Sequence, residues 1–429
     1  MNGKDAPRLI WSWAFYDWAN SAFTTLVVTF IYSTYFTKAM APDEVTGTAW
    51  WSRAVAVSAV LAAVLSPILG AAADRAGARK PFLGAATALC VLATAFLAFV
   101  PPSLPNAALA ALVLYVIADV SFETGYVFYN AFLPGIASPQ RIGRVSGYGW
   151  GLGYVGGLVC MGIALVGFVQ PEVPWFGLSK AEGFNVRATN LLVAAWFLVF
   201  ALPLFLFVPE QRLGRVRLDV RGALRELAGT VRSIRRYREV VKFLLARLVF
   251  NDGLVTVFAF GGIYAAGTFG MSLSEVIAFG LAINVAAGLG AIVFGFLDDR
   301  IGGKKTLVMT LVALSVATGI AVWAPSREWF WVAGMLIGIF AGPNQSASRS
   351  LMGRFVPERQ QAAFFGFFAF SGKATSFLGP ILLGTVTAAV GSQRAGVATV
   401  LLFFVVGGLL LSTVNERRGI DAARGLADA

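Results

Sequence analysis

The sequence predicts an all-α integral membrane protein: twelve transmembrane helices in two six-helix pseudo-repeats. Three observations carry this expectation. Of 429 residues, 58% are hydrophobic and only 13% charged, with a mean hydropathy of +0.74, far from the balance of a water-soluble domain. Apolar runs of roughly 20 residues, enough to cross a hydrocarbon core of about 30 Å as helix, recur along the whole chain. The loop GAAADRAGARK at 70–80 returns as GFLDDRIGGKK at 295–305, which marks an internal duplication.

The spans fall at 12–36, 51–72, 81–100, 107–133, 145–169, 188–208, 242–265, 273–297, 305–324, 328–351, 361–388 and 395–414. The stretch 1–8 has no small-residue cleavage site, and the first span is too long and too aromatic for the core of a signal peptide, so it is expected to stay in the mature chain. Trp11, Trp13 and Trp18 at its start read as an interfacial belt.

Orientation follows from the 34 lysines and arginines. Arg247 and Lys373 lie inside spans, and only Lys38, Arg53, Lys180, Arg187, Arg327 and Arg394 fall on the side away from the N-terminus. All the others, Arg349 among them, fall on the N-terminal side, which places both termini in the cytoplasm. The formal charge of +12 is then a topology signal. A lipid bilayer is the expected partner, and nucleic acid is not.

There is no histidine, and the only cysteines, Cys90 and Cys160, lie within spans. This removes His-based triads, His metal sites, CxxC zinc sites and an extracellular disulfide framework. No Walker motif is present. An enzyme is not expected, nor a cofactor or a metal site.

The repeat divides the chain into six-helix halves at 1–208 and 242–414, a basic linker at 209–241 and a cytoplasmic tail at 415–429. Gly70/Gly295, Asp74/Asp299, Arg75/Arg300, Gly77/Gly302 and Lys80/Lys305 match at an offset of 225 residues. The same offset sets Asp119 and Glu123 opposite Asn344 and Ser348. In the first span of each half, Asp17 and Asp252 match at 235 instead, so the first outer loop is longer, with 41–48 as the excess. In the linker, Val220, Leu224, Leu227, Val231 and Ile234 alternate spacings of four and three. That pattern fits an amphipathic helix lying on the inner membrane surface; a solvated basic linker is the other reading.

Twelve helices in two halves, with G-x-x-x-D-R-x-G-x-R/K-R/K after the second and eighth, resemble the major facilitator superfamily. YDWANSAF at 16–23, VFYNAFLP at 127–134, FNDG at 250–253 and SGKATSFLGP at 371–380 resemble, within it, the autophagy-related vacuolar amino-acid effluxers and their bacterial relatives. The resemblance runs along essentially the whole chain. It implies the major facilitator fold, a bacterial inner-membrane location, amino-acid transport by alternating access, and gating at the cytoplasmic rim by Asp74, Arg75, Asp299 and Arg300. Gly70 and Gly295 would let the helix ends approach. Arg79, Lys80, Lys304 and Lys305 read as topology charges.

Ionised side chains inside a bilayer are costly and are functional by default. Asp119 and Glu123 lie four apart in the fourth span, and Tyr126 and Asn130 extend the same face. Two like carboxylates so placed repel, and one is expected to hold a proton or to share a cation. In the first span Asp17, Asn20, Ser21 and Thr24 share a face that suits a cavity wall. In the seventh, Arg247 and Asn251 are spaced i,i+4, and Asp252 shares a face with Thr256. Lys373 in the eleventh span needs an anion, either Asp252 or a substrate carboxylate. Gly342-Pro343 is expected to kink the tenth span beside Asn344 and Gln345. Gly149, Gly153 and Gly157 form a ridge for close packing.

Acids on one half and a cation on the other suit a zwitterion. The expected function is a secondary transporter of a small polar solute, foremost an amino acid, coupled to H+ or Na+ and acting as a monomer, with export favoured by the resemblance. A cation-coupled carrier of sugars or other neutral solutes is the rival within transport. A non-transporting membrane sensor or scaffold is the rival outside it.

Overall fold

The computed structural model describes residues 3–210, 222, 225, 229 and 237–425. The five apolar positions of the expected linker helix, Val220 to Ile234, lie outside the described residues.

The long helices are α1 (Pro7–Ala22), α2 (Glu44–Ala76), α3 (Arg79–Leu97), α4 (Ala107–Ala131), α5 (Ile142–Ala164), α6 (Thr189–Phe207), α7 (Arg238–Phe269), α8 (Leu273–Ile301), α9 (Gly303–Trp323), α10 (Arg327–Phe355), α11 in two pieces (Gln361–Lys373 and Leu378–Val390) and α12 (Gln393–Ser412). No strand occurs among the described residues. Ten of these elements are long and apolar enough to cross a membrane. The other two are α1 and α10. The regular part of α1 is short and continues through wide π-type turns from Phe23 to Phe30, where Thr24 and Thr29 hydroxyls bond back to the carbonyls of Ser21 and Thr24 and loosen the ladder. The inner half of α10 carries Asn344, Gln345, Arg349 and Arg354, which lower its hydropathy.

The ends are set by local chemistry. Asp43 caps α2 by accepting from the Thr46 amide at 2.8 Å, and Ser272 with Glu275 forms a capping box at α8. α10 stays helical through Gly342-Pro343. One expectation for helix shape is corrected: the span expected at 361–388 is interrupted at 374–377, just before Gly379-Pro380.

The first six helices meet the last six along two seams: α2 against the inner piece of α11, and α5 against α8. Both seams close at the Arg-rich end. A Cβ on Gly70 would overlap the backbone of Ala362, and one on Gly295 would lie 2.8 Å from Arg144 Cα. The two glycines of the repeated loop thus do the same job on opposite seams. At this end the chain after α12 is itself ordered. Helix α13 (Glu416–Ala423) lies beneath α9 and α10, and Glu416 accepts from the amides of Gly303 and Lys304 at 3.0 and 3.1 Å. At the opposite end α1, α5, α7, α8 and α10 enclose an open cavity of about 530 Å³.

Candidate functional site

The polar stripe of α4 exists, and it is divided among three partners. Asp119 is buried and accepts from Ser58 Oγ of α2 at 2.6 Å. Glu123 Oε1 lies 2.8 Å from Lys373 Nζ of α11. The Tyr126 hydroxyl and Asn130 Oδ1 lie 3.3 and 3.4 Å from Arg349 Nη1 of α10. The partner of Lys373 is therefore an acid of α4, not Asp252. Lys373 is the last residue of the inner piece of α11, so its charge also meets the negative end of that helix. Its side chain is 35% exposed and that of Glu123 16%, and neither residue lines the cavity at the opposite end.

The polar residues of α7 hold the break in α11. Arg247 donates to the Phe368 carbonyl at 2.7 Å and to Ser371 Oγ at 2.9 Å, with its guanidinium over the Phe368 ring. Asn251 Nδ2 donates to the Gly372 carbonyl at 2.9 Å. Thr375, inside the break, donates to buried Asp252 at 3.2 Å. A helix end inside a membrane leaves carbonyls without partners, and α7 supplies donors.

One central residue lies on the cytoplasmic side by charge count but is no topology charge. Arg349 is only 1% exposed; it pairs with Asp17 Oδ2 at 2.8 Å and donates to Ser146 Oγ at 2.9 Å and to the Ser146 carbonyl at 2.7 Å. Trp13, Tyr129 and Trp150 lie around its guanidinium. Trp13 is wholly buried and stacks on Tyr129, so it does not belong to a belt. A sequence signal was present: the 225-residue offset sets Ser348 opposite Glu123, so Arg349 follows directly on the counterpart of an acid. Asp17 is consumed by this pair and, like Asn20, is buried beneath the cavity rather than lining it. Asn344 is turned to α9, donating to Thr310 Oγ1 at 2.9 Å, whereas Gln345 lines the cavity.

At the Arg-rich end the two repeated aspartates each bridge a seam. Asp74 pairs with Arg79 at 2.9 Å and accepts from the Ala363 amide of α11 at 2.8 Å. Asp299 pairs with Arg144 at 2.5 Å and accepts from the Gly143 amide of α5 at 2.8 Å. The cations at these aspartates are Arg79 at Asp74, and Arg144 with Arg354 (3.8 Å) at Asp299, while Arg75 and Arg300 are exposed on the surface. Asp298, not singled out from sequence, is buried and accepts from Arg354 at 2.6 Å and from the Ser350 hydroxyl.

The sequence profile of the vacuole effluxer Atg22-like family matches residues 41–424. This chain belongs to that family. It is 30% identical over 419 residues to the uncharacterized MFS-type transporter YxiO of Bacillus subtilis, covering 96% of each chain. It is 26% identical over 313 residues to autophagy-related protein 22-1 of Penicillium rubens, covering 67% of this chain and 50% of that protein. In structure it resembles the proton:xylose symporter XylE, with a TM-score of 0.77, 13% identity and 98% of each chain covered. It also resembles FucP in the outward conformation, with a TM-score of 0.76, 14% identity and coverage of 96% and 99%. The two solved structures speak for the fold. The Atg22-like chain is a major facilitator transporter and a multi-pass membrane protein, and not an enzyme.

The cavity of this Atg22-like transporter is lined by Ser21, Thr24, Trp150, Tyr154, Thr256 and Gln345, with aromatic and aliphatic residues of α7, α8 and α10 on the other wall. None of the lining residues is charged. Such a mixture, apolar with a few polar groups, is typical of small-molecule sites. Trp150 joins the two regions, lining the cavity and lying 5.6 Å from the Arg349 guanidinium.

Proposed function

We propose that this Atg22-like transporter carries a small zwitterion, foremost an amino acid, by alternating access with proton coupling, and that it works in export. The observation that carries the reading is the Glu123–Lys373 pair, a carboxylate and an ammonium facing each other across a seam at 2.8 Å. A zwitterion exchanges into such a pair charge for charge, its carboxylate taking Lys373 and its ammonium taking Glu123 with Asp119 one turn away. The number of charges to be compensated is then balanced before and after binding, which avoids leaving a lone ion in a poorly solvated place. A proton on one of the two acids relieves their repulsion when Lys373 is engaged elsewhere.

In this reading residues 1–208 rock against 242–414. The seams at the Arg-rich end, held by Asp74 with Arg79 and by Asp299 with Arg144, part as the cavity at the other end closes. In this reading the membrane is the inner membrane and the closed end faces the cytoplasm with both termini, an orientation that the excess of Lys and Arg at that end supports. The chain acts as a monomer.

The uncharged cavity wall favours a second reading, a cation-coupled carrier of a neutral solute such as a sugar. Counterflow in proteoliposomes separates the two. Labelled amino acids accumulating against a preload of unlabelled amino acid, more strongly with an imposed pH gradient, would bear out the first. Exchange of sugars alone would bear out the second.

A further inference from the structure

Arg349 belongs to α10, yet the groups its guanidinium bonds all come from the first six helices: Asp17 of α1, Tyr126 and Asn130 of α4, and Ser146 of α5. The Ser146 hydroxyl completes the tie by donating to the Ser346 carbonyl of α10 at 2.8 Å. Room for the pair is made by Gly149, where a Cβ would lie 2.5 Å from Asp17 Oδ2 and 2.7 Å from Arg349 Nη2. In the other ion pairs across the seams the cation is more exposed: Lys373 is 35% and Arg144 32% open, the latter on an Asp299 that is 2% open, whereas Arg349 and Asp17 are both closed at 1% and 4%.

We infer that the Asp17–Arg349 pair is the lock that holds the Arg-rich end closed, with Arg349 as the residue that positions α10 on α1 and α5. Parting the seams pulls α10 away from both. It strips a buried guanidinium of its carboxylate and of both Ser146 bonds, and it leaves a buried carboxylate behind. Breaking a buried pair is far costlier than breaking an exposed one, so this contact weighs most on the balance between the closed and the open end. Asp17 acts as the counter-ion of the lock and does not touch the transported solute. The inference is independent of what that solute is.

Thiol labelling tests it, because both native cysteines are buried. Ser66→Cys places a reporter in the α2–α11 seam, where the serine is 1% exposed and its hydroxyl has no partner. Thr29→Cys places one on the cavity wall, at an exposed position. The full-length protein in membranes should label slowly at Ser66→Cys and fast at Thr29→Cys. Arg349→Gln should raise the first rate by about tenfold or more, the size of a modest population shift, and lower the second. Asp17→Asn, a second route to the same broken pair, should do likewise, while Arg349→Lys should restore part of the wild-type pattern. An unchanged Ser66→Cys rate in both neutral variants would overturn the inference. So would a joint rise at both reporters, which means a loosened fold rather than a shifted balance.

Discussion

Lys373 Nζ lies 2.8 Å from Glu123 Oε1, an ion pair that ties the end of the inner α11 piece to the middle of α4. Its two members stand 250 residues apart in sequence, and each would be a lone charge without the other. A double-mutant cycle should show this coupling. Lys373→Met and Glu123→Gln should each lower thermal stability, and the double variant should lose less than the sum, by about 1 kcal/mol or more. Additive losses in the melting of the four proteins would mean that the pair is not energetically joined.

The two rim aspartates should behave alike. Asp299→Asn removes the partner of Arg144, and Asp74→Asn that of Arg79. Each weakens an amide bond across a seam, a loss of about 1–3 kcal/mol for a charged hydrogen bond. Spin-label distances between α2 and α11 and between α5 and α8, measured at the Arg-rich end, should lengthen in both variants.

Gly149→Ala should destabilise by about 1–3 kcal/mol, the usual range for overpacking, because its Cβ would press on both members of the Asp17–Arg349 pair. Gly162→Ala in the same helix α5, with nothing within 4 Å of the added carbon, should be neutral or slightly stabilising. Parallel melting curves check the contrast.

Asn251→Leu should leave the Gly372 carbonyl without its donor at the end of the inner α11 piece. The expected loss is about 1–3 kcal/mol, read as a lower melting temperature together with faster hydrogen exchange at 374–378. Loss of stability with unchanged exchange in that segment would show that Asn251 does not hold the break.

The spans were legible because apolar runs of membrane length are a strong signal. The third was expected at 81–100 and is Arg79–Leu97; the ninth was expected at 305–324 and is Gly303–Trp323. The break in α11 was not legible. Nothing in SGKATSFLGP forbids a continuous helix up to Gly379-Pro380, and what stabilises the break is Arg247, Asn251 and Asp252, more than 120 residues earlier. The α4 stripe was read on the correct face, but a face does not name its partners. Arg349 shows why: one turn from the end of a span, it looks like any basic residue at the membrane edge. Its burial depends on Asp17, 332 residues away, and on the small residues of α5 that let α1 and α10 close around it.

Ligand-induced thermal stabilisation of the purified protein tests whether a zwitterion binds between Glu123 and Lys373. It should compare a neutral amino acid with its carboxamide, its N-acetyl derivative and a sugar, on the wild type and on Glu123→Gln and Lys373→Met. Stabilisation should grow with concentration for the intact zwitterion alone and should be lost in both variants. Equal stabilisation by the sugar, or by the zwitterion in the variants, would contradict such binding.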